Sequence, residues 1–196
     1  MSNLLLKNSI FIHIPKTGGT AIQAMLHRLH IVEHRYTEPP SGHLFLHQMP
    51  QDKETFYFAF VRHPYTWWPS YWNHGGMSKE NPNFNEWITG FGPKWLGSYT
   101  MRIKRYMGID PAYPCKLRLN RICKLENLNE ELSSVLLEAG EKFDTVRLKQ
   151  MIDDPTHLGV DRWLNKGNYE IVLTDEAKEI IYRTEKWVFD EFGYEK

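Results

Sequence analysis

Apolar residues fall in short clusters separated by polar, Gly- and Pro-bearing stretches. The spacing within each cluster sorts them into strands and helices. Ile10-Phe11-Ile12-His13-Ile14 predicts a buried, parallel first strand over 10–14. After Pro15-Lys16-Thr17-Gly18-Gly19-Thr20, the residues Ile22, Met25, Leu26 and Leu29 recur at helical spacing, which predicts a helix over 20–30. Residues 33–55 are polar and carry Pro39, Pro40, Gly42, His43 and His47, the character of a loop region. Phe56 to Val61 is an almost unbroken apolar run and reads as a strand buried on both faces. Arg62-His63-Pro64 ends it, and a helix over 65–74 follows with Trp67, Trp68, Tyr71 and Trp72 around it. Pro69 is tolerable there only if it lies within the first turn.

Gly75, Gly76, Gly90 and Gly92, with Pro82 and Pro93, predict loops around a short helix at 84–89. A helix at 95–107 precedes breaks at Pro111 and Pro114. Residues 121–125 read as another strand. Asn127 as N-cap, with Glu130 at the third helical position, opens a helix that runs to Ala139 and stops at Gly140. Residues 141–170 give no clear period. Thr174 caps a last helix with Asp175 and Glu176 in its first turn, where the dipole favours them. Ala177, Ile180, Ile181, Thr184, Trp187 and Val188 share its apolar face, and Gly193 ends it. Strands alternating with helices predict an α/β fold: a single domain over 1–196, with a mainly parallel central sheet flanked by helices.

Composition narrows the function classes. Lys+Arg and Asp+Glu are both 24, so the net charge is zero and general coating of nucleic acid is not expected. Cys115 and Cys123 are too few for a disulfide framework and form no CxxC pair, so both are read as reduced thiols. Leu4-Leu5-Leu6 is cut short by Lys7, no cleavable signal pattern is present, and no run reaches the ~20 apolar residues of a membrane span. A cytoplasmic protein with no membrane partner is the expectation. Seven tryptophans fit either core packing or a platform for a planar or sugar ligand.

The chemistry concentrates at residues 15–20. A strand, a Gly-bearing turn and a helix N-terminus make an anion site, because first-turn N–H groups lack intrahelical partners and the dipole adds positive charge. Lys16 adds a full charge, Thr17 and Thr20 offer hydroxyls, and Gly18 and Gly19 permit close approach. A nucleoside-triphosphate P-loop has the order G-x-x-x-x-G-K-[ST]. Here Lys16 precedes the glycines, with no glycine four or five positions upstream.

The stretch resembles the 5′-phosphosulfate loop of the sulfotransferases that use 3′-phosphoadenosine 5′-phosphosulfate (PAPS). Phe60-Val61-Arg62-His63-Pro64-Tyr65 followed by Ser70-Tyr71 resembles their 3′-phosphate segment, an arginine at a strand end and a serine eight positions on. Lys124-Leu125-Glu126-Asn127-Leu128, Leu164-Asn165-Lys166 and Asp190-Glu191-Phe192-Gly193-Tyr194 are similar to the closing half of the carbohydrate-type branch. The resemblance implies a P-loop-NTPase-like sulfotransferase fold and transfer of a sulfuryl group from PAPS to a hydroxyl on a small-molecule or glycan acceptor, with no metal. It implies that Lys16 is catalytic and that Lys16, Thr17, Gly18, Gly19 and Thr20 hold the 5′ end. It also implies that Arg62 and Ser70 hold the 3′-phosphate and that Lys166 closes over the nucleotide. Ser41-Gly42-His43-Leu44 resembles the segment that supplies a catalytic histidine, so His43 is the first candidate base and His47 the second. Three positions depart from the family pattern: His63 stands where an acid or Asn is commoner, Trp67 where Arg is frequent, and Pro69 sits just before the serine. The alternatives are a P-loop small-molecule kinase and a catalytically inactive nucleotide-binding module.

Overall fold

The computed structural model describes residues 2–36, 44–50, 52–74, 76–91, 96–154 and 171–196. The chain is α/β, and its contacts divide it into two compact units. One comprises the described residues within Met1–Val61 and Lys104–Asn168, the other those within Arg62–Ile103 and Tyr169–Lys196.

The first unit is built on a five-stranded mixed sheet: β1 (Asn3–Leu6), β2 (Ser9–Ile12), β3 (Val32–Tyr36), β4 (Phe56–Val61) and β5 (Arg121–Lys124), in the order β3-β1-β2-β4-β5. β2, β4 and β5 are parallel neighbours, in register at Ile12 with Ala59 and at Val61 with Lys124. The expected mainly parallel sheet is corrected on the other side, where β1 pairs antiparallel with both β2 and β3. Leu4-Leu5-Leu6 is a complete strand, and Lys7-Asn8 is a two-residue hairpin turn rather than a mere interruption. β3 falls in the stretch read as loop because it is an edge strand whose central Glu33, His34 and Arg35 are exposed, so no apolar alternation marks it.

Three helices flank the sheet: α1 (Gly19–Arg28), α6 (Leu128–Glu138) and α7 (Thr145–Asp153). Leu4, Leu6, Phe11, Phe58, Phe60 and Cys123 form one core with Ile22, Met25 and Leu26 of α1, Leu132, Val135 and Leu136 of α6, and Leu148 and Met151 of α7. Period-2 alternation sends Ile10, Ile12, Tyr57, Ala59 and Val61 to the opposite face, and they are buried too. Both faces are covered, which accounts for the unbroken apolar run of β4. Asn3 Nδ2 donates to Leu44 O and Tyr57 Oη to Pro50 O, tying residues 44–50 to that face. Asn127 occupies the expected N-cap position of α6, but without the expected side-chain bond. A 3-10 turn over Leu125–Asn127 leads into α6, and the Asn127 side chain makes no capping bond. α7, in the stretch without a clear period, is capped by Asp144, which accepts from Arg147 N.

The second unit is helical: α2 (Pro64–His74), α3 (Met77–Glu80), α4 (Phe84–Glu86) running into a π-helical turn at Trp87–Phe91, the start of α5 (Ser98–Tyr106), α8 (Asp175–Thr184) and α9 (Lys186–Phe192). The tryptophans of α2 are core. Trp67 and Trp68 are fully buried, and Trp67 stacks on Tyr99 at 4.3 Å and on Tyr71 at 4.9 Å. This packing holds Pro69 in the helix interior, past the first turn where the sequence rule would allow it. Thr174 caps α8 as expected, accepting from Ala177 N at 3.2 Å. The single last helix is corrected to two, because the chain breaks at Glu185, a buried residue between α8 and α9. Its carboxylate accepts from Trp68 Nε1, Tyr99 N, Thr100 N and Thr100 Oγ1 at 2.6–3.4 Å, and so caps the N-terminus of α5.

Candidate functional site: the turn between β2 and α1

β2 ends at Ile12, and the His13 N–H donates to Asn3 Oδ1 at 2.8 Å, which fixes the direction of the chain as it leaves the sheet. The next residues turn sharply. Lys16 has φ 71° and Gly18 φ 78°, two left-handed positions on either side of Thr17. A lysine gains nothing locally from that conformation, which costs about 1–2 kcal/mol relative to its ordinary basins. Alternating hand along a turn also directs successive N–H groups into one concavity, the geometry of an anion nest. Thr17 is buried, and its hydroxyl donates to Ile14 O at 2.8 Å. The hydroxyl proton of Thr17 is therefore spent on the turn, and what Thr17 can offer an anion is its N–H.

The two glycines are needed for different reasons. Gly18 caps α1 in the left-handed region, and a Cβ there would also strike the Leu125 side chain. Gly19 is the first helical residue, and a Cβ on it would fall into the His13 imidazole. His13 is 1% exposed, so its ring is the floor under the first turn of α1. Gly18 has no side chain to cap the helix, and the first turn carries no acid. The turn thus presents N–H groups, a helix dipole and Lys16 at the start of a helix whose first turn carries no acid.

The other expected residues lie elsewhere. Arg62 and Ser70 belong to the second unit. The Tyr99 hydroxyl accepts from Arg62 N at 2.8 Å and donates to Arg62 O at 2.7 Å, which pins the backbone of Arg62 at both groups. Arg62 Nε donates to Thr66 Oγ1 at 2.9 Å. Thr66 and half-buried Ser70 stand one helical turn apart on α2, so the residue that holds the guanidinium shares a face with Ser70. Thr66 was recoverable from its i+4 spacing; nothing local signals Tyr99.

His43 and Lys166 fall outside the described residues. His47 is half-buried in the first unit, stacked on Tyr113 at 5.3 Å and Phe45 at 5.8 Å. Its buried Nδ1 has no hydrogen-bond partner among the described residues. Burial pushes the Cys123 thiol up to about 12, so it stays protonated and is no nucleophile at neutral pH. Among the described residues no group of three His, Cys, Asp or Glu is placed to hold a metal, and no helix is long and apolar enough to cross a membrane. The chain matches no known family model, no curated protein and no solved structure.

Proposed function

We propose that this chain is a sulfotransferase that takes the sulfuryl group of PAPS to a hydroxyl acceptor on a carbohydrate. The observation that carries the reading is the turn from Pro15 to Thr20, with Lys16 and Gly18 both left-handed at the start of α1 and no acid in its first turn. These groups fit the phosphosulfate end of the donor. PAPS supplies the activated sulfuryl group.

The N–H groups of residues 17–20 bind the 5′-phosphate, and the α1 dipole adds to their attraction. Lys16 sits at the bridging oxygen and stabilises the negative charge that grows on the leaving phosphate. Arg62 and Ser70 bind the 3′-phosphate, a charged fork and a hydroxyl suited to a dianion. His43, or His47 in second place, takes the proton of the acceptor hydroxyl. The roles of Arg62, Ser70, Lys166 and the histidines rest on the sequence resemblance, and that of the turn rests on its own geometry as well.

Two measurements test the proposal. Calorimetry should give micromolar binding of 3′-phosphoadenosine 5′-phosphate and none of ATP with magnesium; the reverse selectivity points to a small-molecule kinase and refutes the proposal. Mass-spectrometric detection of sulfated product on a panel of hydroxyl acceptors should then show turnover that Lys16→Ala lowers by about 10²–10³-fold, the scale of losing one transition-state charge contact. Tight bisphosphate binding with no turnover on any acceptor identifies an inactive nucleotide-binding module instead.

A further inference from the structure

Arg62 is held by more of the second unit than a lone surface arginine would need. The hydrogen bonds run in one direction. Arg62 Nε donates to Thr66 Oγ1, and the Thr66 hydroxyl donates to His63 O at 3.1 Å. The His63 backbone carbonyl also accepts Thr66 N and Trp67 N, which closes the first turn of α2. The His63 imidazole works on both sides. Tyr65 N–H donates to Nδ1 at 3.1 Å, so Nδ1 is an acceptor and Nε2 carries the proton. Nε2 lies 3.1 Å from Glu195 O, to which it donates.

The segment after α9 is itself tied down. Tyr194 N donates to Phe189 O, and the Tyr194 ring packs 4.8 Å from the His63 ring. Lys196 pairs with Glu179 of α8 at 2.7 Å and lies over the Tyr182 ring. A line of contacts thus leads from α8 through residues 194–196 to His63, Thr66 and the guanidinium of Arg62.

We propose that His63 and Thr66, braced by the Tyr194–Glu195 segment, are positioning residues that fix the Arg62 guanidinium and so set a preference for nucleotides bearing a 3′-phosphate. The inference rests on the nucleotide reading above. A fixed fork binds a phosphate without first losing side-chain freedom, and that advantage is felt only by a ligand that reaches it.

The test is calorimetric titration of 3′-phosphoadenosine 5′-phosphate and of adenosine 5′-monophosphate into wild type, Thr66→Val and His63→Ala, with thermal melts of each. Thr66→Val keeps the side-chain shape and removes only the hydroxyl link, so it remains informative if His63→Ala does not fold. Wild type should prefer the bisphosphate. Thr66→Val should cut that preference by about tenfold, the scale of one charge-assisted hydrogen bond, and leave the monophosphate affinity unchanged. Variants that keep the full preference, or that weaken both ligands equally, overturn the positioning role and leave the nucleotide reading standing. A wild type with no preference for the bisphosphate overturns that reading itself, and this inference with it.

Discussion

Gly19→Ala is the sharpest probe of how the candidate turn is built. In most helices this change is helpful, because Ala is favoured over Gly by up to about 1 kcal/mol. Here the new methyl would point into the His13 ring. The ring is 1% exposed, so either the imidazole or the first turn of α1 must shift. Overpacking of that kind costs about 1–3 kcal/mol. The favourable propensity offsets only part, and the net effect should be a loss of about 1–2 kcal/mol. His13→Ala alone should cost about 2–4 kcal/mol, as for other large-to-small changes at buried sites. In the double variant the added methyl enters the space the ring vacated. The two losses should then fail to add, with a coupling of about 1–3 kcal/mol in the favourable direction. Urea unfolding of the four proteins, compared at equal m-values, measures that coupling. A Gly19→Ala protein more stable than wild type, or a coupling within about 0.5 kcal/mol of zero, would refute the claim that His13 floors the turn.

Three further outcomes are expected. Thr17→Val removes the bond to Ile14 O, which should cost about 0.5–1.5 kcal/mol in urea unfolding and weaken binding of 3′-phosphoadenosine 5′-phosphate; unchanged affinity would show that the turn does not depend on that bond. Burial, only partly offset by its hydrogen-bond donors, holds the Glu185 carboxyl above its ordinary value. Below the unfolded-state value both states are protonated and its contribution is intact; as pH rises towards the folded value, the folded state keeps a proton the unfolded chain has released, and stability falls. Glu185→Gln should flatten that part of the pH–stability curve and, by leaving Thr100 N–H without its acceptor, cost about 1–3 kcal/mol; an unchanged slope would refute the assignment. In native protein at pH 8 a thiol reagent should label half-buried Cys115 and spare Cys123 until urea is added, and equal native rates would contradict the burial of Cys123.

The elements most legible in the sequence were those with a strong period or a strong stop. β4 and α2 lie where the apolar run and Arg62-His63-Pro64 put them, and α8 begins at the Thr174 cap. The sheet's antiparallel half was not legible. β1 is four residues with no alternation, and β3 is a polar edge whose strand character comes from pairing with β1. Glu185 looked like one polar residue in an amphipathic helix, and only its four donors, brought from α2 and α5, explain why the helix breaks there. The position of the turn was legible from Pro15 to Thr20, but the left-handed Lys16 was not, because nothing in sequence announces that a lysine will adopt a conformation suited to glycine.

The hairpin of β1 and β2 also bears on the order in which the molecule takes shape. Its strands are joined by two residues, and local hairpins close within about 1–10 μs. The parallel partners are far away along the chain: β4 cannot align on β2 until the stretch from Ile12 to Phe56 has been looped out, and β5 follows a longer excursion from Val61 to Arg121. The short antiparallel pair is thus available as a template before the rest of the sheet arrives. Leu125, whose side chain confines Gly18, comes directly after β5, so the packing around the candidate turn is complete only once β5 has docked on β4.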